Sequence, residues 1–217
     1  KETCEKDGGD PVETFTCLYQ KTVSAARPLP PDAGMPTILR EMPVDRARVL
    51  VRSIAQFALS CESLFPREAT GVFRLARLIP SELCLTRHQV ASIISCGLLG
   101  LFRETNDFMF DLGFLVVTGP PVVPSLVGVV HYLDRVSQSM PPGRMLFRRI
   151  VAKSQVDWAS MSTLPLSQIE CRIGGTIEGC HGMLQIDFAN RHLGGGVLRG
   201  GCAQEEIRFG LCSPELI

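Results

Sequence analysis

The chain has 217 residues, of which 45% are hydrophobic and 20% charged, the range of ordinary globular proteins and enough for a sizeable core in one or two domains. Its 22 basic residues balance 22 acidic ones, so no overall positive field argues for nucleic acid as a direct partner. Nine cysteines, an odd number without Cys-x-x-Cys or zinc-ligand spacing, favour a reduced, intracellular compartment over a disulfide framework.

The first 43 residues are rich in turn-forming residues. The run Asp7-Gly-Gly-Asp-Pro11 is followed by prolines at positions 28, 30, 31, 36 and 43. This composition favours turns and extended chain over a packed core, so we expect a proline-rich tail or wrap over residues 1–43. The first residue is Lys, and the opening lacks the basic-then-apolar order of a signal peptide, so we expect an internal fragment of a longer protein.

Two helices are predicted in the part of the chain that follows. From Val44 to Phe65, apolar residues recur near helical spacing and no Gly or Pro interrupts them, which predicts a long helix. Thr86 stands three residues before Gln89, the arrangement of a capping box, and apolar residues then recur from Val90 to Leu101. A second, buried helix is therefore expected to begin at this point.

The stretch from Phe108 to Val130 is apolar enough to raise the question of a membrane span. Asp111 and the prolines at 120, 121 and 124 interrupt it, so no run reaches the roughly twenty residues that a bilayer requires, and we predict no span. Leu126 to Val136 favours another short helix. Met140-Pro-Pro-Gly143 then breaks the chain, and we place there the end of a helical accessory region over residues 44–143.

Short β-prone runs follow this break. Met145–Val151, Ile169–Ile173 and Met183–Ala189 are rich in strand formers, and Gly174-Gly175 predicts a turn. A sheet built from these runs needs more strands than the chain contains, so we expect residues 144–217 to form a domain that is incomplete at its C-terminus. We expect the chain by itself to be inactive for the same reason.

Two glycine clusters and a pair of glutamates carry the readable chemistry. Gly194-Gly-Gly196, and again Gly200-Gly201, permit φ > 0 and allow backbone N–H groups to approach a phosphate. Gln204, Glu205 and Glu206 then open an apolar-periodic segment, which places two carboxylates at the positive end of a predicted helix. Alone, a triple glycine is often only a flexible turn, and acidic residues are common in the first turn of a helix.

A carboxylic acid beside a phosphate-binding loop suits a substrate whose diphosphate is flanked by sugars. Glycosidic cleavage needs a proton donor at the leaving oxygen and help for an oxocarbenium-like centre. Neighbours on a helix point about 100° apart, so Glu205 and Glu206 must hold different roles. The adjacent Cys180 and His181 have no visible further partners, and we predict no metal site.

The order and spacing of these residues resemble the signature of the poly(ADP-ribose) glycohydrolase family. Gly194-Gly-Gly196 is followed after seven residues by Gln204-Glu-Glu206, and Asp187-Phe-Ala-Asn190 stands before the glycines. The segment Gly175-Thr-Ile-Glu178 also resembles the family. The resemblance implies an α/β fold, in which an N-terminal helical accessory region precedes the truncated start of a macrodomain-like three-layer α/β/α catalytic domain.

The same resemblance implies a reaction and a role for each residue of the site. The reaction is hydrolysis of the ribose–ribose O-glycosidic bonds of poly(ADP-ribose), and it needs no cofactor. Glu206 would be the general acid that later activates water, Glu205 would bind and position the ribose, and Asp187 would support the same centre. The substrate-binding residues would be Asn190 and Gln204 at the ribose, Gly194, Gly195 and Gly196 at the diphosphate, and Ile177 and Glu178 at the adenine.

A second class of function stays open at this point. A macrodomain-type module that binds ADP-ribose without hydrolysing it needs the loop but not the acid. A helical scaffold with an incidental glycine turn would require the whole motif to be coincidence. For the hydrolase, the expected partners are poly(ADP-ribose) and ADP-ribosylated proteins, with no direct nucleic acid and no membrane, in a nuclear or cytoplasmic protein that is a monomer at full length.

Overall fold

Six α-helices and two β-strands are present in the part of the chain that the structure, a computed structural model, describes. The described residues are 9–23, 29–66, 79–102, 112, 116–117, 124–151, 157, 160, 165, 168–171, 173–190, 194–197, 201 and 203–212. In chain order the elements are α1 (Pro11–Thr22), α2 (Gly34–Glu41), α3 (Val44–Leu64), β1 (Ser81–Thr86), α4 (Arg87–Leu98), α5 (Pro124–Gln138), β2 (Arg144–Arg149), a single 3-10 turn (Ile177–Gly179) and α6 (Gln204–Cys212).

The N-terminal segment is helical and packed. Asp10 caps α1 by accepting the N–H of Val12 at 2.9 Å, and Phe15 and Tyr19, four residues apart, are both buried in the main core. In α2, Met35 and Leu39 repeat this spacing and are also buried. The expectation of a tail without a packed core is therefore wrong for these residues.

The expectation was wrong because several of the prolines lie at the starts of helices, where proline is tolerated. Pro11 is the first residue of α1 and Pro36 lies in the first turn of α2. Pro43 precedes α3 as its N-cap residue. A proline in a first turn lacks only an N–H that has no partner within the helix, and its fixed φ suits a helix start. These prolines mark where helices begin.

The helices α3 and α4 pack against each other and form the centre of the helical core. The predicted long helix is confirmed as Val44–Leu64. The capping box is confirmed as well, because the Gln89 N–H donates to Oγ1 of Thr86 at 3.1 Å and the Thr86 N–H donates to Oε1 of Gln89 at 2.9 Å. Almost every residue of α4 after this cap is buried.

Helix α5 joins the same core and confirms the short helix predicted there. An ion pair between Arg46 of α3 and the buried carboxylate of Asp134 fastens α5 to α3, with the Arg46 Nε lying 3.0 Å from both carboxylate oxygens. Most of the stretch 108–130 considered for a membrane span lies outside the described residues. No helix in the described part of the chain is long and apolar enough to cross a bilayer.

The two strands form one antiparallel sheet, in which Leu83 pairs with Phe147 and Leu85 with Met145. These four side chains lie against the helical core, and the opposite face of the sheet is exposed. The β-prone run predicted from Met145 is thus a strand. This strand packs against the helical region. The Pro-Pro-Gly break instead predicts that residues 144–149 belong to the following domain.

The two later strand predictions are wrong for the described residues. No regular strand forms at 169–171 and 173 or at 183–189, and the side chains of Leu184 and Phe188 are 100% and 81% exposed. A strand is stable only when its backbone is paired with a neighbour, and the described residues form just the one sheet of β1 and β2. The turn at Gly174-Gly175 is confirmed, with φ values of +93° and +91°.

Candidate active site

The start of α6 is organised by the carboxylate of Glu206, the third residue of the helix. Its Oε2 accepts the N–H of Ala203, the residue before the helix, at 2.9 Å. The Ile207 N–H donates to the Ala203 carbonyl at 3.0 Å and closes the first turn. An acidic side chain that reaches back to the residue before the helix is the glutamate half of a capping box. Glu206 therefore stabilises the end of the helix that favours negative charge.

The other oxygen of Glu206 reaches the glycine loop, which we define as residues 194–197. The N–H of Gly196 donates to Oε1 of Glu206 at 2.9 Å. This bond is the main cause of a lowered pKa at Glu206, followed by the backbone N–H of Glu206 itself; burial raises the pKa by less, and the Ala203 N–H adds the smallest lowering. Hydrogen bonds to the charged form favour ionisation, so Glu206 is held as a carboxylate at neutral pH.

Glu205 occupies a different environment, although it is the next residue. It is only 3% exposed, and each of its oxygens accepts one backbone N–H, from Gly194 to Oε1 at 2.9 Å and from Asn190 to Oε2 at 2.8 Å. A buried carboxylate requires such donors, because an unpaired charge in the interior is costly. Glu205 thus ties Asn190 and Gly194 to α6, and the different roles expected of the two glutamates stay a prediction.

The side-chain amide of Gln204 holds the segment that precedes the loop. Its Oε1 accepts the N–H of Phe188 at 3.2 Å, and its Nε2 donates to the carbonyl of Ile186 at 3.0 Å. Asp187 lies between these two residues, so its backbone is fixed beside the first turn of α6 while its side chain is exposed. The first turn of α6 thus gathers the predicted site residues on both sides of the glycines.

The glycine loop itself is a tight turn closed by the N–H of Val197, which donates to the carbonyl of Gly194 at 3.1 Å. Gly195 adopts a φ of +54°, and a Cβ there would stand 2.5 Å from Oε1 of Glu206 and 3.0 Å from Oε2 of Glu205. A side chain at this position is excluded both by the backbone conformation and by the carboxylates that approach it.

Two of the loop N–H groups do not serve the purpose predicted for them. We expected the N–H groups of Gly194 to Gly196 to point at a phosphate, but those of Gly194 and Gly196 donate to Glu205 and Glu206. The sequence pattern could not show this, because the carboxylates come from a helix that begins eight residues after the last of the three glycines. A contact between the loop and a diphosphate stays a prediction.

Ile177 and Glu178, predicted to bind adenine, lie in the 3-10 turn Ile177–Gly179. This turn ends with the N–H of Cys180 donating to the carbonyl of Ile177 at 3.1 Å. The amide of Gln185 donates to the Cys180 carbonyl at 3.5 Å and links the turn to the segment held by Gln204. No hydrogen bond between described residues joins the turn directly to the glycine loop, so the adenine role stays a prediction.

Two residues that no sequence motif marks support the glycine loop from outside. Ser125, near the start of α5, donates its hydroxyl to the carbonyl of Val197 at 3.4 Å. Phe209, one turn further along α6, packs against Gly194, since a Cβ built on Gly194 would lie 3.7 Å from the Phe209 ring. Ser125 is 72 residues from its partner, and no local pattern marks such a contact.

Comparison with known protein families assigns both parts of the chain to one family. The family model for the helical domain of poly(ADP-ribose) glycohydrolase matches residues 47–149, and the model for its macro domain fold matches residues 156–217. The chain belongs to the poly(ADP-ribose) glycohydrolase family. The predicted fold class is confirmed at this level, as a helical domain followed by a domain of the macro fold.

Individual relatives agree with this assignment. The chain is 42% identical over 164 residues to poly(ADP-ribose) glycohydrolase 1 of Arabidopsis thaliana, covering 68% of this chain and 30% of that protein. It is 38% identical over 149 residues to poly(ADP-ribose) glycohydrolase 2 of Caenorhabditis elegans, covering 67% of this chain and 30% of that protein. The chain spans less than a third of the length of these poly(ADP-ribose) glycohydrolases.

Within the glycohydrolase family match, the candidate site draws on both domains. The glutamates, the glycine loop and the residues held by Gln204 fall in the range of the macro domain fold, 156–217. Ser125 falls in the range of the helical domain, 47–149. The described loop therefore contacts the helical domain on one side and its own helix α6 on the other.

Proposed function

We propose that the protein hydrolyses the ribose–ribose O-glycosidic bonds of poly(ADP-ribose) and releases ADP-ribose, with Glu206 as general acid and base. One observation carries the assignment of Glu206. Both adjacent carboxylates accept a backbone N–H on each oxygen, but Glu205 is buried whereas Glu206 is partly exposed. This difference in exposure supports Glu206, rather than Glu205, as the group that exchanges a proton with a bound substrate.

The proposed reaction has two proton transfers at one carboxyl. The protonated Glu206 gives its proton to the leaving ribose oxygen as the glycosidic bond breaks and an oxocarbenium-like centre forms. The resulting carboxylate then takes a proton from water, and the hydroxide equivalent adds to that centre, which returns Glu206 to its acid form. Glu205 and Asp187 position and stabilise the reacting ribose.

The lowered pKa of Glu206 sets a requirement for this cycle, because a general acid must hold a proton when substrate is bound. Hydrogen bonds from Gly196 and Ala203 favour the carboxylate in the free site. A bound diphosphate adds negative charge nearby and excludes water, and both changes raise the pKa of a carboxyl group. Substrate binding therefore promotes the protonation that catalysis uses.

Substrate contacts follow from the same arrangement. Asn190, whose backbone N–H donates to Oε2 of Glu205, and Gln204, the first residue of α6, would bind the ribose. Gly194, Gly195 and Gly196 would face the diphosphate. Ile177 and Glu178 would contact adenine. The physiological partners are then poly(ADP-ribose) and the proteins that carry it, in the nucleus or the cytoplasm.

A second candidate function is binding of ADP-ribose without hydrolysis. One observation favours it. Both oxygens of Glu206 already accept backbone N–H groups, so this carboxylate can serve a structural role by connecting α6 to the glycine loop. A module that only binds needs the loop in this shape but no transferable proton.

The two functions differ in the fate of the polymer. We would incubate the full-length protein with poly(ADP-ribose), separate the products by chromatography and quantify free ADP-ribose over time. Multiple turnovers of released ADP-ribose support the hydrolase. Retention of intact polymer in a stable complex, without release, contradicts it and supports the binding module.

A further inference from the structure

The glycine loop contacts the helical domain at a buried pair of residues, Ser125 and Val197. Ser125 is 8% exposed and Val197 is 4% exposed, and the Ser125 hydroxyl donates to the Val197 carbonyl at 3.4 Å. A buried carbonyl without a donor costs free energy. Among the described residues, Ser125 supplies the side-chain donor to this carbonyl.

The side that carries Ser125 is rigid. The next residues of α5 that face the core, Leu126 and Val129, are completely buried. Further along, Asp134 is fixed to α3 by Arg46. A hydroxyl on this helix has a fixed position because the helix is held in the core at both ends, and fixed supports of this kind locate functional groups most accurately.

The side that carries Val197 leads directly to Glu206. Val197 follows Gly196, whose N–H holds Oε1 of Glu206. The N–H of Val197 donates to the Gly194 carbonyl and closes the turn. The Val197 side chain also packs against Gly194, since a Cβ built on Gly194 would lie 3.3 Å from Cγ1 of Val197. The carbonyl that Ser125 binds thus belongs to the residue directly after Gly196, whose N–H holds Glu206.

We propose that Ser125 is a positioning residue, which sets the place of the glycine loop and through Gly196 the place of the Glu206 carboxylate. It does not touch substrate. The helical domain would thereby contribute to the site of the macro domain, which explains in physical terms why the two are packed together at α5 and α6. This role in catalysis rests on the proposed hydrolysis, whereas the role in shaping the loop does not.

The test uses three substitutions at Ser125 and one matched control in the full-length protein. Ser125→Ala removes the hydroxyl, Ser125→Cys keeps the size but donates weakly, and Ser125→Thr keeps the donor. Ser137→Ala is the control, because Ser137 lies on the same helix and its hydroxyl bonds the Asp134 carbonyl of that helix at 2.7 Å, away from the loop. Melting temperatures establish which variants are folded.

Two readouts separate a positioning role from a general effect on stability. Hydrogen exchange at the amides of Gly196 and Val197 should quicken in Ser125→Ala and Ser125→Cys and return towards the parent rate in Ser125→Thr, while exchange in α3 and α4 stays unchanged. The kcat for ADP-ribose release should fall about two- to tenfold, the usual effect of one hydrogen bond, with KM changed less than about twofold. Ser137→Ala should match the parent in both.

The outcomes distinguish this inference from the proposed function. Unchanged exchange at Gly196 and Val197 in a folded Ser125→Ala or Ser125→Cys protein overturns the positioning role. Altered exchange with an unchanged kcat confines Ser125 to supporting the loop and overturns its part in catalysis. If no protein in the series, including the parent, releases ADP-ribose, then the proposed function fails, and altered exchange still supports the contact as the determinant of loop position.

Discussion

Gly195 lies so close to Glu206 that a Cβ on the glycine would stand 2.5 Å from the carboxylate oxygen Oε1. Even the smallest side chain at position 195 would therefore require the Glu206 carboxylate or the loop to move. The φ of +54° at Gly195 adds a backbone reason for glycine at the same point. The loop and the first turn of α6 are joined by the hydrogen bonds of Gly194 and Gly196 to the two glutamates.

Gly195→Ala should lower both ADP-ribose affinity and turnover by about tenfold or more, because the loop must move away from Glu206. The control is Gly182→Ala, at a φ of +74° with nothing within 4 Å of the added Cβ, which introduces similar backbone strain without the collision. Calorimetry and a turnover assay check the prediction. Equal behaviour of the two folded variants would mean that contact with the glutamates does not determine the loop.

The hydrogen bond between Gly196 and Glu206 should depend on pH through the ionisation of the Glu206 carboxyl group. Its folded-state pKa is lowered below the ordinary value of 4.5, chiefly by the Gly196 N–H. The contribution of this carboxylate to holding the loop is therefore complete above the unfolded-state pKa and is lost as pH falls through the lower, folded-state pKa. In an NMR titration, the Gly196 amide should shift with a midpoint below 4.5. A midpoint above that value would contradict the assignment of its hydrogen bond.

The ion pair between α3 and α5 gives a prediction about stability. Arg46→Met leaves the buried carboxylate of Asp134 without its partner, and we expect the free energy of unfolding to fall, by less than for a fully buried pair because the Arg46 side chain is half exposed. Arg48→Met is the control, since its carboxylate partner Asp45 is exposed, and it should cost less than about 1 kcal/mol. Urea denaturation measures both. A smaller loss for Arg46→Met than for Arg48→Met would show that this pair does not fasten the helices.

Gly100 ends α4 in the left-handed conformation, with a φ of +63°, and a Cβ there would stand 2.5 Å from Cγ2 of Val23 just after α1. Gly100→Ala should reduce the free energy of unfolding by about 1–3 kcal/mol, because it adds backbone strain and displaces α1 from α4. Gly143→Ala, also at positive φ but with open space around it, should cost less. Denaturation curves that rank the two variants the other way would refute this packing.

Local sequence signals were sufficient to predict the structure of a short segment whose conformation depends on its own residues. The capping box of Thr86 and Gln89 and the turn at Gly174-Gly175 were predictable for this reason. They were insufficient for the first helices, because prolines at helix starts look the same in composition as prolines in extended chain. The apolar pair Phe15 and Tyr19 was the signal that could have corrected the interpretation.

Contacts between distant segments could not be predicted from the pattern. The sequence placed Glu205 and Glu206 at a helix start near a glycine loop, but it could not show that their carboxylates accept the loop N–H groups. The contact of Ser125 with Val197 crosses 72 residues and depends on how two domains pack. The strand pattern of Met183–Ala189 is real in composition, but a strand forms only where another strand pairs with it.

The exposed segment 183–189 leads to a prediction for residues 1–217 expressed alone. Because its apolar side chains are exposed and it makes no sheet, its amides should exchange much faster than those of α4. We also expect no measurable release of ADP-ribose, since the Asp187 side chain is exposed although its backbone is held by Gln204. Protection of 183–189 equal to that of α4, or robust hydrolysis, would contradict this expectation.

The most direct measurement compares turnover and affinity in Glu206→Gln. The amide keeps the size of the side chain but has one acceptor oxygen in place of two and no proton to transfer. Release of ADP-ribose should therefore fall by about 10²-fold or more, while the Kd for ADP-ribose should rise by no more than about tenfold, the effect of one lost hydrogen bond. Glu62→Gln, at an exposed position of α3, should leave both values unchanged. Turnover of Glu206→Gln within a few-fold of the parent would contradict the role of Glu206 as the general acid.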